Sequence, residues 1–118
     1  MGIQFLQKPA CTTCRKAKAF LHKLGADLQL RNLDAQRLSE AELKSLIGDR
    51  DYKKFLITRN ALYRTRKMKD HPPSRSEAIR LMAQNPNLIR RPVVICGDEI
   101  ILGHDEDGFR TLAKRNHK

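Results

Sequence analysis

Cys11-Thr12-Thr13-Cys14-Arg15-Lys16-Ala17-Lys18 is the stretch that decides how this 118-residue chain is read. Upstream of it, Ile3 and Phe5 alternate with polar neighbours as a half-buried strand does, and Lys8-Pro9-Ala10 stops that strand before the first cysteine. Downstream, Ala17, Phe20, Leu21 and Leu24 recur at helical spacing, and Gly25 supplies a helix C-terminal cap. The two cysteines therefore fall at a helix start. Thiolate is the reactive form of cysteine, and helix-start amides with lysine and arginine nearby lower a thiol pKa. Residue type, spacing and place agree on thiol chemistry.

Working outward, Leu28 and Leu30 alternate again, which gives strand, helix, strand and two parallel strands with the Cys-x-x-Cys at the carboxyl end of the first. From about Asp34 to Asn87 the texture changes to many charges without strand alternation. Capping boxes at Ser39 with Glu42 and Ser74 with Glu77 mark helix starts there, and Leu43, Leu46 and Ile47 form one apolar face, Ala78, Ile79 and Met82 another. After Arg90-Arg91-Pro92, strands over Val93–Cys96 and Ile100–Leu102 flank Gly97-Asp98-Glu99 as a hairpin, and Asp105 caps a last helix carrying Phe109 and Leu112. The order β-α-β, helical insertion, β-β-α predicts an α/β fold with a four-stranded mixed sheet, the thioredoxin layout. A chain of this length forms one domain, 1–118, with a core from residues 1–33 and 88–118 and a helical insertion over 34–87.

The composition sets bounds on function. The 24 Lys and Arg against 13 Asp and Glu give a net charge of +11, which attracts anions from small oxyanions to acidic protein surfaces. Aromatic content is only 5% and no glycine-aromatic or Cys/His finger spacing appears, so direct, sequence-specific nucleic-acid reading is not expected. The longest apolar clusters fall far below the roughly 20 residues a membrane helix needs, and Met1-Gly2-Ile3-Gln4-Phe5 does not look like a secretory signal. A cytoplasmic location is the expectation. There structural disulfides are rare, and an odd count of three cysteines cannot pair completely, which favours a catalytic or sensing pair.

Three blocks in register, Cys11-Thr12-Thr13-Cys14-Arg15-Lys16-Ala17, Thr58-Arg59-Asn60-Ala61-Leu62-Tyr63-Arg64 and Leu88-Ile89-Arg90-Arg91-Pro92-Val93-Val94, closely resemble the arsenate reductase and Spx family of thioredoxin-fold proteins over nearly the whole chain. The resemblance implies a nucleophilic cysteine at Cys11 and a cis-proline at Pro92 beside the thiol. It also implies arginines at Arg59 and Arg91 that hold an oxyanion. This chain departs from the reductase branch in two places: Cys14 stands where that branch has serine, and Leu102-Gly103-His104 where it carries a third arginine. The Spx branch consists of redox-sensing transcription regulators that bind the RNA polymerase α subunit. Its polymerase-contacting glycine aligns with Asp51 here, with Gly48 nearby.

Geometry then suggests roles. Helix residues three apart have Cβ atoms ~5–6 Å apart and a disulfide wants ~3.5–4.5 Å, so Cys11 and Cys14 can close on each other with slight adjustment. Cys11 is expected to attack, favoured by the amides of Thr12, Thr13 and Cys14 and by Arg91, and Cys14 to resolve the adduct. The guanidinium forks of Arg59 and Arg91 match a tetrahedral oxyanion. A zinc site is not expected, because His22, His71, His104 and His117 show no partner spacing with the cysteines, and Cys96 reads as a small hydrophobe in a strand. The run Arg64, Arg66, Lys67, Lys69 reads as solvated, able to steer an acidic partner. The expectation is an arsenate reductase-like oxidoreductase that binds no cofactor and is recycled by an external thiol reductant, glutathione with glutaredoxin, or thioredoxin. It would act as a monomer on an oxyanion or a disulfide, or else as an Spx-like regulator of RNA polymerase.

Overall fold

The strand that precedes the cysteines, β1 (Ile3–Gln7), is an inner strand of a four-stranded sheet of order β2-β1-β3-β4. This is seen in a computed structural model that describes residues 2–58 and 60–116. β2 (Leu28–Asn32) runs parallel to β1 with Ile3 opposite Leu28, and β3 (Val93–Cys96) runs antiparallel on its other side with Phe5 opposite Val94. β4 (Glu99–Leu102) closes the hairpin through Gly97 and Asp98, with Gly97 at φ 59. A two-residue hairpin turn with glycine first needs that positive φ, which a side chain would resist. The sheet is mixed and thioredoxin-like, as the periodicity predicts.

The chain forms two compact units, Met1–Leu33 with Arg91–Lys118, and Asp34–Arg90. In the first, α1 (Thr12–Lys23) and α5 (Glu106–Asn116) pack together and onto the sheet. The core joins Ile3, Phe5, Val94 and Cys96 from the strands to Cys14, Ala17 and Leu21 from α1 and Phe109 and Leu112 from α5. α1 ends as the sequence predicts: Gly25 takes φ 82, its N–H donates to the His22 carbonyl at 3.0 Å, and the Ala26 N–H donates to the Leu21 carbonyl at 3.0 Å. That is the Schellman pattern, which satisfies carbonyls the helix leaves open. Leu30 differs from expectation, being 49% exposed, because β2 is an edge strand and the buried core is drawn from β1 and β3. α5 runs to Asn116, and residues 117–118 lie outside the described residues.

The second unit holds α2 (Glu40–Ile47), α3 (Ala61–Thr65) and α4 (Arg75–Gln84), with short 3-10 turns at Tyr52–Phe55 and Pro86–Leu88. The Ser39 and Glu42 box is complete, each side chain accepting from the other's backbone N–H at 3.1 Å. At Ser74 only half of it forms. The Ser74 hydroxyl accepts from the Glu77 N–H at 3.2 Å, but the Glu77 carboxylate pairs with Arg66 at 2.9 Å. The unit extends to Arg90 rather than stopping at residue 87. Ile57 donates to the Leu88 carbonyl at 2.9 Å and Arg90 to the Phe55 carbonyl at 2.7 Å, which fastens residues 88–90 to the insertion. Among the described residues no helix is long and apolar enough to cross a membrane.

Candidate redox site

Cys11 is the N-cap of α1. It has extended backbone angles, φ −80 and ψ 115, its carbonyl accepts the first helical bond from Arg15 at 3.1 Å, and its own N–H donates to Lys8 at 3.0 Å. The Lys8-Pro9-Ala10 turn thus aims the residue before the helix begins. Its Sγ does what a serine or aspartate oxygen usually does at this position, accepting the Cys14 N–H at 3.4 Å. The first turn of α1 contains no acid, so no carboxylate competes with a sulfur anion for the exposed amides and the positive end of the helix dipole.

The two thiols are driven in opposite directions. Partial burial by itself would raise the Cys11 pKa. Hydrogen bonds from the Cys14 thiol and its N–H, the charge of Arg91 and the Thr13 amide outweigh that burial and leave Cys11 below the ordinary thiol value of 9.0. Cys14 is fully buried, and that burial, helped by its bond to Cys11 and by the Cys11 charge, pushes its pKa up to about 12 against the opposing effects of the Lys8 amide and Arg91. One sulfur is half-exposed and ionises readily; the other is a buried proton donor to it. All three cysteines are free.

Arg91 and Pro92 lead into β3 in the same unit, and the peptide bond between them is cis. Pro92 is buried, and its carbonyl accepts the Gly103 N–H at 2.9 Å, which holds the start of β3 against the end of β4. Arg91 is partly buried, and its Nε is buried with no hydrogen-bond partner among the described residues. A charged donor left unbonded away from water costs more than the ~1–3 kcal/mol of a neutral one. Arg91→Gln is expected to move the midpoint of Cys11 alkylation by iodoacetamide to higher pH. Removing the cation favours the neutral thiol, so the variant reacts more slowly than wild type at neutral pH and regains the difference as pH rises. An unchanged pH profile would remove Arg91 from the site.

The structure bonds Cys14 to Cys11 and puts both sulfurs within reach of the Arg91 charge, with Pro92 following Arg91 at the cis bond. Arg59 lies outside the described residues. Sequence reasoning named both Arg91 and the Lys and Arg of the helix itself as cations acting on the thiol; the charge that lowers its pKa is that of Arg91. The Lys8 amide on Cys14 was also missed, and a backbone donor leaves no signal in residue type. The burial of Cys14 did leave one: Cys14, Ala17 and Leu21 follow helical spacing on a single face, and all three are buried. Cys96 is buried and pairs with Glu99 at the hairpin end of β3, four residues beyond Pro92 or ~13 Å at strand rise. Within the basic run Arg66 is occupied by Glu77, while Arg64, Lys67 and Lys69 line a cleft of about 620 Å³ with Thr58, Tyr63 and Asp70. No cluster of His, Cys, Asp and Glu among the described residues could hold a metal ion.

The chain is similar to known proteins over nearly all of its length. Over 112 residues the chain is 32% identical to the global transcriptional regulator Spx of Streptococcus pyogenes, a match covering 93% of this chain and 84% of that protein. The crystal structure of an ArsC family related protein from Bacteroides fragilis superposes with a TM-score of 0.83 at 31% identity, covering 95% of this chain and 99% of the other. An arsenate reductase from Vibrio cholerae superposes with a TM-score of 0.79 at 25% identity, covering 92% and 95%. Residues 6–112, from within β1 to Leu112 of the last helix, match the ArsC family, and the chain belongs to it.

Proposed function

We propose that the chain is a thiol/disulfide oxidoreductase in which Cys11 attacks an oxyanion or a disulfide next to Arg91 and Cys14 resolves the adduct. The observation that carries this is the opposed pair: a sulfur at a helix N-cap held below its ordinary pKa, bonded to a buried thiol pushed up to about 12. With a disulfide substrate, the Cys11 thiolate displaces one sulfur as a thiolate and forms a mixed disulfide. With arsenate, it displaces hydroxide, which leaves as water after protonation, and forms an arsenic–sulfur bond.

Either adduct changes Cys14. Two of the influences that keep its proton on are the bond to Cys11 and the Cys11 charge, and both vanish once that sulfur is covalently engaged. The Lys8 amide and Arg91 then favour ionisation against burial alone. The Cys14 thiolate attacks Cys11, closes the disulfide and expels the remaining group, a thiolate or a two-electron-reduced arsenite. An external dithiol supplies two electrons to restore the pair, in a reducing, cytoplasmic setting where a free thiol pair persists.

Cys14→Ser is expected to halt this cycle at its midpoint. Incubated with oxidised glutathione, the variant accumulates a glutathione adduct on Cys11 that wild type converts to the internal disulfide. Intact mass spectrometry reads both, and a variant that clears the adduct as fast as wild type would overturn the resolving role. A second reading has its own support in the 32% identical Spx relative. In it the same disulfide alters a surface that binds the RNA polymerase α subunit. Oxidation-dependent capture of purified α subunit, without turnover of arsenate or disulfide, selects that reading.

A further inference from the structure

The helix that presents Cys11 is cationic along its whole solvent side. α1 carries Arg15, Lys16, Lys18, His22 and Lys23 and no acid, and Arg15, Lys16, His22 and Lys23 are exposed. Helical spacing sorts them into two stripes: Cys11, Arg15, Lys18 and His22 follow one, and Thr12, Lys16, Ala19 and Lys23 the next. Among the described residues no ion pair ties Arg15, Lys16, Lys18 or Lys23 to an acid. The nearby acids of α5 are matched within their own segment: Glu106 meets His104 at 3.0 Å and Arg110 at 3.5 Å, and Asp107 meets Arg110 at 3.1 Å.

This face works against the helix. Like charges three or four residues apart cost ~0.2–0.5 kcal/mol per pair, and Arg15 and Lys16 stand near the end of the dipole that repels cations. The thiol does not account for them, since the charge acting on Cys11 is that of Arg91. Between the stripes and the start of α5 lies a shallow groove of about 360 Å³, lined by Lys16, Ala19, Phe20, Lys23, His104 and Glu106. Lys16 and Lys23 set two cations in it against the one carboxylate of Glu106, and its Phe20 ring meets His104 edge-on at 5.9 Å. From Cys11 to His22 the stripe spans ~16 Å.

We propose that the solvent face of α1 is the docking surface for an acidic dithiol protein that reduces the Cys11–Cys14 disulfide. The inference rests on the proposed function and adds the partner's chemistry. Carboxylates around the partner's thiol meet Lys16, Lys23 and Arg15, and this leaves its attacking sulfur at the Cys11 end of the helix. The partner thiolate attacks Cys11 Sγ and breaks the internal disulfide, and Cys14 leaves as a thiolate and takes a proton. The partner's second thiol then attacks its own sulfur in the mixed bond and releases the Cys11 thiolate. One disulfide is reduced, one dithiol is oxidised, and two electrons have moved.

The test compares wild type with Lys16→Glu/Lys23→Glu, each oxidised to the internal disulfide and verified by the loss of two hydrogens. Reduction is followed with three probes: a thioredoxin of negative net charge, a thioredoxin of positive net charge, and dithiothreitol. The acidic thioredoxin is expected to reduce the variant at least ~10-fold more slowly at low salt, the difference closing at high salt, while dithiothreitol reduces both proteins alike. The basic thioredoxin is expected to favour the variant. Equal rates with the acidic thioredoxin, or an equal slowing with dithiothreitol, would overturn the docking surface and leave the redox reading standing. A DNA duplex that binds wild type through these lysines while the thioredoxin rates ignore them would assign the face to nucleic acid and overturn it too. Failure to form the internal disulfide at all is seen before any partner is added and overturns the redox reading itself, with this inference.

Discussion

Cys11→Ser is expected to lower thiol-dependent turnover, with arsenate or a disulfide as substrate and a dithiol supplied, by at least ~10³-fold. Serine is the informative replacement because it is a preferred N-cap residue: its hydroxyl can accept the Cys14 N–H that Sγ now accepts, so α1 keeps its start. What is lost is ionisation. A hydroxyl stays protonated in surroundings where the amides of Cys14 and Thr13 and the cation of Arg91 favour a sulfur anion. The urea midpoint should move little, while the rate collapses. A variant that retains a tenth of the wild-type rate would show that another group attacks, and Cys14, fully buried, would be a poor candidate.

Phe109→Ala is expected to have the largest effect on stability, ~3–5 kcal/mol, measured as a lower urea midpoint at unchanged slope. Phe109 is fully buried in the core shared by α1, α5 and the sheet, with its ring 6.2 Å from Phe20 and 5.8 Å from His104. Truncation removes the largest side chain that α5 contributes to this core and leaves a cavity that the sheet cannot close by local relaxation. Against a typical total of about 5–15 kcal/mol, the loss consumes a large part of the margin. A cost below ~1 kcal/mol would mean that α5 is not clamped by this ring.

Local signals carried most of what the sequence made legible. The proline turn, the first cysteine at the N-cap, Gly25 at the helix end and the Ser39 box each involve residues within a few positions, and each forms as its pattern predicts. Long separations carried no such signal. Glu77 has the right spacing for a second box, yet its carboxylate is taken by Arg66, eleven residues back and just past the end of α3. Leu30 alternates properly but occupies an edge strand, a fact about strand order that alternation does not encode. Arg91 is the clearest case. Nothing in the composition of so basic a chain singles it out, and its place beside the thiols comes from the sheet, which sets the start of β3 alongside the end of β1. Family resemblance pointed to it because resemblance records three-dimensional neighbours as spaced motifs.

Cys14 belongs at once to the proposed redox pair and to the packed interior between α1 and the sheet. The midpoint potential of the pair is therefore linked to the cohesion of that interior. Any substitution that changes the folding free energy of the oxidised and reduced forms unequally shifts the potential by the corresponding amount, about 30 mV for each 1.4 kcal/mol of difference. A methyl group lost far from the active sulfur could in this way retune which cellular reductants are able to recharge it.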